Sequence, residues 1–172
     1  MPGTQNIRIV DVASVAAFYR EGLVFGIVPL QEVIAWADRR ILDEAQPAPA
    51  VLDLSLVRDR DALQAISLLS ELAPTGDHGF MSHDVARGLL DRLRGDFVAG
   101  RRDLLDTIRT AVRLRSKLPV EDSLWAELIG LEDDRDLVLG RIAGDIPTLD
   151  KNTREWIGQF DGDADRFVRR GA

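Results

Sequence analysis

The chain has 172 residues, of which 45% are hydrophobic and 30% charged; this suits one globular domain with a real core and excludes wholesale disorder. It has no cysteine, which excludes disulfides, thiolate metal sites and thiol chemistry. The net charge is −7, unevenly spread: residues 83–118 hold nine bases and five acids, and residues 119–165 hold 13 acids and four bases.

Glycine and proline divide the sequence into helical blocks. The first is predicted over about 11–21, with Val12, Val15, Ala16 and Tyr19 on one face and Gly22 as its stop. The apolar segment 23–28 reads as a buried connector, although a short strand also fits. Pro29 suits a first helical turn, where a missing N–H costs nothing. Leu30, Val33, Ile34, Ala37 and Ile41 then make a continuous stripe, bordered by Trp36 and ending near Gln46, before Pro47-Ala48-Pro49. Residues 49–57 read as a short helix, with an alternation at 52, 54 and 56 that also fits a strand. A helix from about Asp59 is expected to bury Leu63, Ile66, Leu69 and Leu72 and to stop before Pro74.

Pro74 to Gly79 is a long turn. Ser82 caps the next predicted helix, which carries Ala86, Leu89, Leu90, Leu93 and Phe97 on one face. Gly88 and Gly95 weaken it by about 1 kcal/mol each relative to alanine. A helix over about 102–117 points Leu104, Leu105, Ile108, Ala111, Val112 and Leu118 inward. Segments 120–130 and 133–143 follow, either as two helices or as one bent helix, with Leu124, Leu128, Leu131, Leu137, Val138 and Ile142 as their apolar members. Pro147 opens the last predicted helix, with Leu149, Trp156, Ile157 and Phe160 buried. The expectation is an all-α array or bundle of seven to eight helices over residues 1–160. Residues 161–172 read as a polar, frayed tail. The echo between Leu89-Leu90-Asp91 and Leu104-Leu105-Asp106 has too short a period for a helix-pair repeat.

Chemistry is sparse. Asp77, His78, His83 and Asp84 form the one cluster able to bind a divalent metal or act as acid and base, and they support an alternative reading as a metal-dependent hydrolase or lyase. Their spacing differs from H-E-x-x-H, whose histidines share a helical face. Asp161-Gly162-Asp163-Ala164-Asp165 begins like a calcium loop, but Arg166 replaces the required glycine and Ala172 the closing glutamate. Phosphate-binding glycine loops and the serine nucleophile elbow are absent from the sequence. The arginines of 83–118 form no single stripe in an acidic chain, so nucleic acid is not an expected partner, and no cofactor is implied.

The leading expectation is therefore a non-enzymatic interaction protein, regulatory or immunity-type, that binds a basic partner protein. Glu132, Asp133, Asp134 and Asp136, with Trp125 as an aromatic anchor, are its candidate partner-binding residues. A homo-oligomeric scaffold is the third option. The longest apolar stretch, Leu23–Leu30, is too short to span a bilayer. The polar start, Met1 to Asn6, lacks a basic secretory n-region, so the expected location is cytoplasmic. Arginine far outnumbers lysine, which occurs only at Lys117 and Lys151, and this points to GC-rich bacterial coding.

Overall fold

The computed structural model describes residues 11–58, 60–73 and 79–168, and these form an all-helical array. In chain order the helices are α1 (Val12–Val24), α2 (Leu30–Asp43), α3 (Pro49–Ser55), α4 (Ala62–Leu72), α5 (His83–Val98), α6 (Leu104–Leu114), α7 (Ser123–Leu139), α8 (Ile146–Gly158) and the single turn α9 (Asp165–Val168). A 3-10 turn, Arg115–Lys117, extends α6. No strand occurs among the described residues. Both ambiguous segments resolve as helix or turn: 51–55 lies in α3, and 23–28 supplies the end of α1 and a tight reversal.

Side-chain caps set most helix starts. Asp11, Asp61, Ser82, Asp103, Asp122 and Asp145 each accept a backbone N–H from the first turn of the helix that follows. Gly22 does not stop α1; the helix runs on to Val24. Ile27 and Val28 both donate their N–H to the Gly22 carbonyl, bringing Val28 against the helix. A Cβ on Gly22 would lie 2.5 Å from Val28 Cγ2, so the glycine serves close approach rather than termination.

Helix α5 is the centre of the array and touches α1, α6, α8 and α9. All five residues of its expected stripe are buried. Gly88 sits under the rings of Phe18 and Phe167, which stack 4.7 Å apart, and a Cβ there would meet Phe167 at 2.6 Å. Its apparent cost in helix propensity thus creates the seat for an aromatic pair.

That seat holds the first part of the expected tail, and residues 169–172 lie outside the described residues. Residues 161–168 do not fray: Phe167 is buried on Phe18, and the Ala164 N–H donates 3.0 Å to the buried carboxylate of Asp91. A polar segment with a single aromatic carries too weak a periodic signal to be read as anchored.

Two other expectations change. Helix α4 buries Ala65 and Leu69, while Leu63 is 81% exposed. Residues spaced strictly by three drift about 60° round a helix at each step, so Leu63 and Leu72 cannot share the core face. Residues 123–139 form one helix through Gly130, and Leu137 and Ile142 lie outside the core. Trp36, beside the α2 stripe, packs into the core against Tyr19 with ring centroids 5.3 Å apart.

A buried ion pair lies within α1, and its arginine reaches the end of α4. Arg20 and Glu21 are both almost fully covered, and their charged groups meet at 2.9 Å. Arg20 also donates to the Ala73 carbonyl. Glu21 Oε2 and the Tyr19 hydroxyl are buried without a hydrogen-bond partner among the described residues. Burial and the nearby Glu32 carboxylate push the Tyr19 phenol up to about 12, against the smaller pull of Arg39 and Arg92. No helix among the described residues is long and apolar enough to cross a membrane.

Candidate functional site

Of the expected metal cluster, Asp77 and His78 lie outside the described residues. His83 and Asp84 open α5 and are both engaged elsewhere. His83 Nδ1 lies 2.9 and 3.0 Å from the two carboxylate oxygens of Asp122, the cap of α7, whose Oδ1 also accepts the Leu124 N–H at 2.9 Å. This couples the first turns of α5 and α7. Asp84 pairs with Arg166 at 3.1 Å, tying the start of α5 to α9. No group of three or more metal-ligating side chains occurs among the described residues. The calcium-like segment is likewise held by arginine: Asp161 pairs with Arg94, and Asp163 with Arg87 and Arg166, both at 2.9 Å.

The basic middle and the acidic C-terminal third do neutralise one another in part. Arg87 and Arg94 reach the 161–163 turn, and Arg115 reaches Glu132 at 2.7 Å. Other pairs stay local, including Arg102 with Asp106 and Arg101 with Asp96. The Arg115 guanidinium also lies over the half-buried Trp125 ring, 5.3 Å from its centroid. Trp125 therefore has one face covered by a cation that is itself held by Glu132. Glu127 accepts from Trp156 Nε1 and Gln159 Nε2, joining α7 to α8.

What remains uncompensated is concentrated on the far half of α7. Arg135 pairs with Asp136 at 2.7 Å and reaches Glu132 at 3.9 Å. Asp133 and Asp134 are exposed and have no ion-pair partner among the described residues. Unsatisfied apolar surface lies in the same place. Helix α7 buries only Leu124, Leu128 and Leu131. Past them, Leu137 is exposed, Leu139 is 53% exposed, and Ile142 and Ile146 in the α7–α8 corner are 76% and 47% exposed.

The corner has a defined shape. Gly140 ends α7, Arg141 takes a positive φ of 56°, and Gly144 follows at 75°. The N–H groups of Ile142 and Ala143 both return to the Leu137 carbonyl. Asp145 then caps α8 through the Thr148 N–H at 2.8 Å. The result is a shallow groove between α7 and α8. Leu137, Val138 and Leu149 supply its apolar lining, Ala143 and Gly144 its end, and Asp134 and Asp145 its acidic groups.

Among the expected partner-binding residues, then, Asp133, Asp134 and Asp136 share the exposed end of α7, while Glu132 and Trp125 are bound up with Arg115. Sequence reasoning missed Leu139, Ile146 and Asp145 as surface features and placed Leu137 and Ile142 in the core. A signal was present. Leu124, Leu128, Leu131 and Val138 already complete one stripe, and Leu137 lies about 100° outside it, whereas Leu139 falls on the stripe and is exposed at the helix end. No protein-family model, curated protein or solved structure matches this chain.

Proposed function

We propose that this chain is a non-enzymatic interaction factor, regulatory or immunity-type, that binds a basic partner protein through α7. The observation that supports this reading is the coincidence of unpaired carboxylates, Asp133 and Asp134, with exposed apolar side chains on one helix end. Unpaired acids favour a basic partner and speed its approach, and exposed apolar groups supply the area that holds it. The arginine-rich, cysteine-free composition fits a bacterial cytoplasmic setting. No observation on the described residues favours the metal-dependent reading, because His83 and Asp84 have protein partners.

The test is affinity capture from the native host with the wild-type chain and with a triple variant, Asp133→Asn, Asp134→Asn and Asp136→Asn. The reading expects a basic protein that is retained by the wild type and lost by the variant. It also expects release when salt rises from about 0.1 M to about 1 M, which shortens the screening length from about 10 Å to about 3 Å. A partner held equally by the variant would remove the proposed surface.

Homo-oligomerisation is the second reading, favoured by the exposed Leu42 of α2, Leu52 of α3, Leu56 just past its end and Leu63 at the start of α4. Light scattering that finds a monomer at high concentration would end it.

A further inference from the structure

Resting on the interaction reading above, we infer that the α7–α8 groove is the seat for a basic amphipathic helix of the partner, which inserts an apolar anchor and places arginine or lysine against Asp134 and Asp145. The reasoning starts from what the groove lacks. Its lining of Leu137, Val138 and Leu149 is apolar, and its two charged residues are both carboxylates. An apolar occupant alone would bring the Asp134 carboxylate into a drier setting without a counter-charge, which is unfavourable. A basic occupant without an apolar side chain would leave the lining wet.

Charge around the groove points the same way. Asp134 has no ion-pair partner among the described residues, and Asp145 spends one oxygen on the α8 cap, leaving the other to accept from a guest. Asp133 stands beside Asp134 on α7. The C-terminal end of a helix carries partial negative charge, so the end of α7 adds to this field. The cations within the segment 131–150 are Arg135, turned to Asp136 and Glu132, and Arg141 in the corner loop. Leu139 and Ile142, at the same end of α7 and in the corner, are exposed as well, while Ile146 lines a separate recess with Leu104, Leu105 and Arg109 of α6. An amphipathic helix meets such a surface with residues spaced at i, i+3, i+4 and i+7 and keeps its charged residues at the edges.

The experiment uses the full chain and a synthetic probe. A fluorescein-labelled, helix-forming peptide carries leucines at i, i+3 and i+7 with arginines flanking them; a scrambled peptide of the same composition has the same charge and no apolar face. Binding is read by fluorescence anisotropy. The inference expects the ordered peptide to bind at least tenfold more tightly than the scrambled one. It further expects at least a tenfold loss with Ala143→Trp, which fills the end of the groove, and with Asp134→Lys, which reverses its charge. Circular dichroism checks that each variant is folded; should Ala143→Trp unfold, Asp134→Lys and the peptide pair decide.

Equal binding of the two peptides would overturn the inference, since charge alone would then account for it. Unchanged affinity in the folded variants would do the same, as would no binding at all or a groove closed by a second copy of this chain. The broader reading fails separately. A host partner lost by the triple variant of α7, with no peptide binding, would leave the acidic surface standing and remove the groove as its seat.

Discussion

Helices α5 and α7 have nearly the same length, 16 and 17 residues, and opposite fates. Every apolar residue of the α5 stripe is covered, and even its buried acid, Asp91, is satisfied by Ala164 N–H and Arg94. Helix α7 fully covers three leucines, and its distal half is only partly covered, by α8 across a groove. Its distal half keeps Leu137 and Leu139 exposed, beside carboxylates with no cation. The contrast separates two uses of the same amphipathic design. Where apolar residues match the faces available, the helix holds the fold together. Where they exceed them, the excess is surface available to another molecule.

The contrast can be broken most severely around the core that α5 shares with α1. Arg20→Ala leaves the Glu21 carboxylate buried without its cation, and one of its oxygens is already unpartnered. Breaking a buried pair in this way is expected to cost about 3–5 kcal/mol, read as a lower urea midpoint. A loss under about 1 kcal/mol would mean that water reaches the pair. Next comes Leu93→Ala on α5, fully buried, for which a cavity cost of about 2–5 kcal/mol is expected in the same measurement.

Tyr19 offers a pH test of that core. Its phenol titrates near 12 in the folded chain, against an ordinary value of 10.0. Between those values the unfolded chain loses the phenolic proton and the folded chain keeps it. The Tyr19 contribution is therefore fully present below pH 10 and disappears as pH rises towards 12, by roughly 2–3 kcal/mol at about 1.36 kcal/mol per unit. Tyr19→Phe should flatten this part of the stability–pH curve. At neutral pH it should cost little, because the hydroxyl it removes has no partner. A slope unchanged in Tyr19→Phe would assign it to other groups.

The smallest effect is expected where the comparison is sharpest. Leu139→Ser on the exposed end of α7 should change stability by no more than about 0.5 kcal/mol, although the deleted side chain is as large as that of Leu93. A loss comparable to that of Leu93→Ala would show that α7 is covered to its end, and the proposed surface would disappear with it.

Much of the helical plan was legible in the chain. The stripes in α2 and α5 and the cap residue Ser82 carry their meaning locally, through periodicity and a side chain within reach of the next three N–H groups. Errors arose where distant residues decide. Gly22 reads as a stop until Val28 is seen folding back on it. His83 reads as half of a metal site until Asp122, 39 residues later, is found at its Nδ1. Leu137 and Ile142 have the chemistry of core residues, but α8 leaves a groove over Leu137 and the corner leaves Ile142 exposed.

Composition, apolar spacing and capping residues thus determine by themselves that this chain is helical and where most of its helices start, because those preferences act within a few residues. Tertiary structure alone decides which carboxylates are spent on arginines and which apolar side chains lack a cover. Neutralisation and burial depend on neighbours brought from elsewhere in the chain. At the α7–α8 corner both are incomplete, and that corner is what distinguishes the acidic third as a candidate site rather than simply a charged stretch.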